Sequence, residues 1–137
     1  MTSFREVEHT ADCALELNAT TLELLFADAV YGLMNILFGE ETENSIASHT
    51  HITFSADGVD RETRLVSLLT EILYYTTRHG CRVRMCTIRF SNEDVYADCI
   101  ILTNTVVVKE IKAVTFHKLA IIKSKTNHYT CCVVFDV

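Results

Sequence analysis

Tyr129-Thr130-Cys131-Cys132-Val133-Val134-Phe135-Asp136-Val137 reads as an apolar strand that closes on a carboxylate. Chain ends usually fray, and a strand this apolar does not end in bare solvent. Asp136 is therefore expected at the lip of a packed core, beside the α-carboxylate of Val137. A second acidic mark, in His9-Thr10-Ala11-Asp12, follows the short alternating strand Phe4 to Glu8. If the two ends meet, three carboxylates converge on one spot. At an effective dielectric near 20, two unit charges ~4 Å apart repel by roughly 4 kcal/mol. Protonation, a lysine, or a hard cation taking oxygen ligands relieves such a cluster.

Outward from that strand, two helices stand apart from an otherwise strand-like chain. Thr20 and Glu23 form a capping-box signature ahead of an apolar face that runs from Leu22 to Leu37, with Gly39 as its stop. Asp60 is the expected N-cap of a second helix, whose stripe is Leu65, Leu68, Leu69, Ile72 and Leu73 and whose end is Gly80. Strands are expected at 3–8, 13–18, 49–55, 82–90, 94–102, 104–111, 113–122 and 128–136. Asn104 marks a tight turn, and Ser124-Lys125-Thr126-Asn127 a hairpin loop. The expected architecture is α+β: a single domain over 1–137, with a mixed sheet and both helices packed on one face.

The 137 residues suffice for a normal core without staples. A formal charge of −6 argues against a protein that grips nucleic acid with its whole surface. The charge is lopsided: residues 1–62 carry 12 acids and 2 bases, whereas 63–137 carry 6 acids and 10 bases. Either one face is basic, or the fold interleaves the two signs. No charged leader with an apolar core and no bilayer-length apolar run is present, so a soluble, cytoplasmic protein is expected. The six cysteines lie mostly within apolar strand patterns, and none forms a Cys-x-x-Cys pair. They read as buried, reduced thiols that pack as small hydrophobes.

A further string, Lys112-Ala113-Val114-Thr115-Phe116-His117, places one lysine in an otherwise apolar stretch. Taken with His-Thr-Ala-Asp at 9–12, Thr21-Leu22-Glu23, the leucine-rich helix from Leu65 to Tyr74 and the terminal Phe135-Asp136-Val137, it resembles the archease family. The resemblance runs over almost the full length. It implies a non-enzymatic partner that activates the GTP-dependent tRNA-splicing RNA ligase, promoting guanylylation and multiple turnover. It also implies a divalent-metal pocket made by Asp12, Asp136 and the carbonyl or carboxylate of Val137. Calcium is the first expectation, with magnesium or manganese as alternatives; oxygen donors without thiolate suit these ions better than zinc. Asp12, Lys112 and Asp136 carry over as ligase-activating residues, with His9 and His117 as supporting ones. RNA contact is expected to be indirect or weak. The chain departs from the family pattern at 98–111, which holds neither glycine nor proline, and at Thr70, Thr76 and Thr77.

Three other readings remain open at this level. One is a metal-dependent hydrolase with Asp12 and Asp136 as ligands and His9 or His117 as base. Another is a thiol–metal module built from His79, Cys81 and Cys86, one ligand short of a closed zinc site. The third is an interaction domain without metal. No P-loop glycine cradle and no nucleophile with its base in one motif is present, which argues against nucleotide chemistry by this chain alone.

Overall fold

The computed structural model describes residues 3–8, 12–41, 50–103 and 105–137. Helix α1 spans Leu22–Phe38 and helix α2 spans Arg61–His79. The α1 cap lies one residue later than the capping-box reading: Thr21, not Thr20, accepts from the Leu24 N–H at 3.1 Å. Asp60 caps α2 as expected, accepting from the Thr63 N–H at 2.7 Å. Both helices stop at glycines with positive φ, Gly39 at 76° and Gly80 at 60°. That left-handed backbone suits a residue without Cβ.

The strands are β1 (Ser3–Glu8), β2 (Asp12–Ala19), β3 (Thr50–Asp57), β4 (Arg82–Ser91), β5 (Asp94–Leu102), β6 (Ala113–Thr115), β7 (Ile122–Lys123) and β8 (Tyr129–Asp136). They form two sheets instead of one mixed sheet, and every pairing among the described residues is antiparallel. One sheet runs β1-β2-β8-β6, with β7 also paired to β8; the other runs β3-β5-β4. The α+β class stands. The helices join the two sheets: α1 lies against β1, β2 and β8 of one and β4 of the other, while α2 lies against β3, β5 and β6. One continuous apolar core results, with Phe26, Leu33, Leu65, Leu69 and Phe135 fully enclosed.

Two expected strands fall differently. Residues 105–111 form no strand, and the N–H groups of Thr105, Val108 and Lys109 are committed to helix ends. The Val108 N–H donates to the Leu37 carbonyl at 2.7 Å, and the Thr105 N–H to the Gly80 carbonyl at 2.9 Å. The segment thus closes the C-terminal end of α1, whose last carbonyls otherwise lack partners. The turn expected at Asn104 lies outside the described residues. The single strand expected over 113–122 is broken into β6 and β7. Lys118 turns to a φ of 52°, and the Ile121 N–H leaves the sheet to donate to Glu62 Oε2 at 2.8 Å. The hairpin loop at 124–127 is as expected, with the Ser124 N–H donating to the His128 carbonyl at 2.7 Å.

All six cysteines are without disulfides, and five are buried. Burial is the first cause that lifts Cys131, to about 12, and it also raises Cys81 and Cys132. These thiols stay protonated at neutral pH and pack as apolar groups. Cys131 is buried and Cys132 only half-buried, as strand alternation requires of neighbours.

Candidate functional site

The two acidic marks meet. In the β2–β8 register Asp12 lies directly opposite Asp136, and in the β6–β8 register Ala113 is the partner of Asp136. Asp12, Asp136 and Ala113 therefore form one row across three strands. Their neighbours Cys13, Phe135 and Val114 point into the core. By strand alternation the row projects to the opposite face. Asp136 is exposed and Asp12 half-exposed. Residues directly opposite have Cβ atoms about 4.5–5.5 Å apart, and like charges in such positions repel.

Lys112 is fixed to the same place through its backbone. Its N–H donates to the Asp136 carbonyl at 2.7 Å. Ile111, immediately before it, is buried and anchors the approach, while the Lys112 side chain is exposed. Upstream, Lys109 reaches Glu6 of β1 at 3.5 Å, tying the 105–111 segment to the sheet's far edge. Val137, one step beyond Asp136, packs partly buried against the core.

A cavity of 230 Å³ reaches Lys112 and Ala113 but is lined by neither Asp12 nor Asp136. Lys112, Ala113 and Val114 form one wall and Thr70, Tyr74 and Thr77 of α2 the other. Tyr74 is 62% exposed; Arg78 lies over its ring at 5.6 Å and donates to its hydroxyl at 2.6 Å. Sequence reading marked Thr70 and Thr77 as departures from the family pattern but did not gather them with Tyr74 into this helix wall. Its signal was present: Thr70, Tyr74 and Thr77 recur at helical spacing beside the apolar stripe. A larger groove of 560 Å³ lies near the other end of β2 and β8, lined by Arg5, Glu16, Asn18, Lys118 and Cys132 among others. It does not include the acidic row.

The other candidates are placed as follows. His9 lies outside the described residues. His117 sits beyond β6, in a turn where its N–H donates to Thr115 Oγ1 at 3.3 Å. The register takes Ala113 opposite Asp136 but Thr115 opposite Val134, so the chain moves away from the carboxylates before it reaches His117. His79, Cys81 and Cys86 do not form a ligand set. The His79 ring lies against Tyr75 at 4.4 Å, and Cys86 faces Cys99 across the β4–β5 pair. Among the described residues, no group of three or more His, Cys, Asp or Glu side chains gathers into a metal cluster. The acidic row thus brings two carboxylates, both hard oxygen donors, whose repulsion a divalent cation would offset.

Among the described residues no helix is long and apolar enough to cross a membrane. The family described as the archease protein family (MTH1598/TM1083) matches residues 4–137. The solution structure of protein 1598 from Methanobacterium thermoautotrophicum superposes with a TM-score of 0.71 at 19% identity, covering 98% of each chain. The crystal structure of an archease from Thermotoga maritima, described as a possible chaperone, gives 0.65 at 21% identity, covering 97% of this chain and 96% of the other. No curated protein matches in sequence. At these identities the two structures speak for the fold, while the family match spans the acidic row, Lys112 and the terminal strand alike. On that match, the chain belongs to the archease family.

Proposed function

We propose that this chain is a protein activator of a GTP-dependent tRNA-splicing RNA ligase, promoting ligase guanylylation and multiple turnover without turning over a substrate itself. The observation that carries the reading is the row Asp12–Asp136–Ala113, with the Lys112 backbone bonded to Asp136. Two strands distant in sequence and one loop lysine are thereby held in one exposed place. The description of the Thermotoga maritima archease as a possible chaperone agrees with a helper role.

Asp12, Asp136 and the carbonyl or carboxylate of Val137 would hold a divalent cation, calcium first and magnesium or manganese next. When bound, such an ion supplies concentrated positive charge to phosphate oxygens at the partner's active centre. The chain's own residues do the rest. The paired strands fix the spacing of the two carboxylates, so no loop closure is needed before a cation is taken up. Lys112 presents an exposed ammonium within one residue of the row, where it neutralises phosphate charge or pairs with an acid on the ligase. The Tyr74 wall of α2 gives the lysine a shaped, partly apolar neighbour.

A hydrolase reading finds no support in the placement of His117, which lies away from the row. The test of the activator reading is GTP-dependent guanylylation of the cognate ligase in the presence of substoichiometric wild-type or Asp136→Ala protein. Stimulation by wild type and none by the variant, with both folded by circular dichroism, is expected. Equal stimulation by both removes the acidic row from the function, and no stimulation by either removes the activator role.

A further inference from the structure

Cys86 of β4 and Cys99 of β5 are direct register partners. The orientation of that pair follows from Tyr31 of α1. Its hydroxyl accepts from the Cys86 N–H at 2.9 Å and donates to the Cys86 carbonyl at 3.3 Å. Both polar groups of the Cys86 backbone therefore face the helix, away from β5. Cys86 and Cys99 form a non-hydrogen-bonded pair, the kind whose Cα atoms approach to about 4.5 Å. That separation lies within the range of about 4.4–6.8 Å that a disulfide accepts.

We propose that Cys86 and Cys99 are a modification site: a thiol pair that hydrogen peroxide converts to a cross-strand disulfide within the folded chain. The site is separate from the acidic row and does not rest on the activator reading. Cys86 is the attacking sulfur. It is the more accessible of the two, at 8% against 2%, and it lies on an edge strand next to the irregular register between Val83 and Met85. Cys99 keeps its proton, held above the usual thiol range first by the Cys86 thiol and then by burial. Its sulfur also lies 3.6 Å from the Ala97 carbonyl, an acceptor for that proton.

The chemistry closes without a further reactant. Cys86 loses its proton to solvent, and the thiolate attacks one peroxide oxygen. The S–O bond forms, the O–O bond breaks, and the leaving hydroxide takes up a proton to become water. The Cys99 sulfur then attacks the sulfenic sulfur of Cys86. The S–S bond forms, the S–O bond breaks, and the departing hydroxide leaves as water with the Cys99 proton. Two electrons pass from the two sulfurs to peroxide, giving one disulfide and two waters. The other four cysteines have no such register partner: Cys13 faces Phe135, Cys131 faces Leu17, Cys132 faces Glu16, and Cys81 lies outside the paired strands.

The test treats folded wild-type chain with hydrogen peroxide, removes the oxidant with catalase, denatures, and alkylates with N-ethylmaleimide. Non-reduced tryptic peptides are then read by mass spectrometry. The expected result is four alkylated cysteines in place of six, with the peptide 85–89 joined to 90–109 and released by dithiothreitol. The Cys86→Ala variant is expected to lose the bridge and leave Cys99 alkylatable. Alkylation of all six in oxidised wild type overturns the proposal. So does bridging through any other pair, or sulfinic acid on Cys86 without a bridge. The wild-type readout stands even if the variant fails to fold.

Discussion

Asp12 and Asp136 sit opposite one another although like charges in register destabilise a sheet. Removing one of them should therefore help the isolated fold. Asp12→Asn is expected to gain up to about 1 kcal/mol in chelator-treated buffer, read as a higher urea midpoint. Calcium should reverse the ranking. Wild type gains about 2.7 kcal/mol when the free ion is 100-fold above its Kd, while the variant gains little. A wild-type midpoint unmoved by calcium, magnesium and manganese would leave the row without an ion. Asp98 offers a second test at this scale. Its hydrogen bond to Arg89 at 2.7 Å, and then that to Thr53 at 2.8 Å, hold its carboxyl below the usual range. A depressed folded pKa gives stability that is complete above the unfolded value, about 3.9, and is lost as pH falls through the folded value. The advantage of wild type over Asp98→Asn should thus be constant near neutrality and shrink on acidification below that unfolded value.

At the scale of elements, α1 owes its close seat on the sheet to Gly32. A Cβ there would meet Leu15 Cδ1 at 2.6 Å and Cδ2 at 2.9 Å, inside a fully enclosed side chain. Gly32→Ala gains helix propensity of about 1 kcal/mol but incurs overpacking of about 1–3 kcal/mol. A net loss in urea unfolding is expected, larger for Gly32→Val. Loss of the α1 cap in Thr21→Ala should cost about 1 kcal/mol. The helices were readable because period, cap and glycine stop agree over many residues. Residues 105–111 were not. Thr105-Val106-Val107-Val108 has strand propensity, yet the N–H groups of Val108 and Thr105 serve the carbonyls of Leu37 and Gly80, partners far away in sequence. Nor does the apolar run 113–122 reveal that Glu62 of α2 captures the Ile121 N–H and splits it. In both cases a tertiary hydrogen bond overrides local pattern.

The whole molecule depends on β8, which pairs with β2, β6 and β7 and carries both the core and the site. Phe135, fully buried, is the partner of Cys13, and its neighbour Asp136 is the partner of Asp12. Phe135→Ala is expected to lose about 3–5 kcal/mol and to abolish partner activation with it, whereas Lys112→Ala should reduce activation at unchanged stability. The apolar run closing on Asp136 made this strand readable from residue order alone, whereas its meeting with Asp12 stayed conditional in the residues and was implied only by the family resemblance. Division into two antiparallel sheets could not be read, since strand patterns give faces and not neighbours. The most direct test of the central claim measures ligase guanylylation with substoichiometric wild type, Asp12→Asn, Asp136→Asn and the double variant. If the paired carboxylates act as one unit, each single variant loses nearly all stimulation and the double variant loses no more. Single variants that keep full stimulation, or losses that multiply in the double variant, would contradict it.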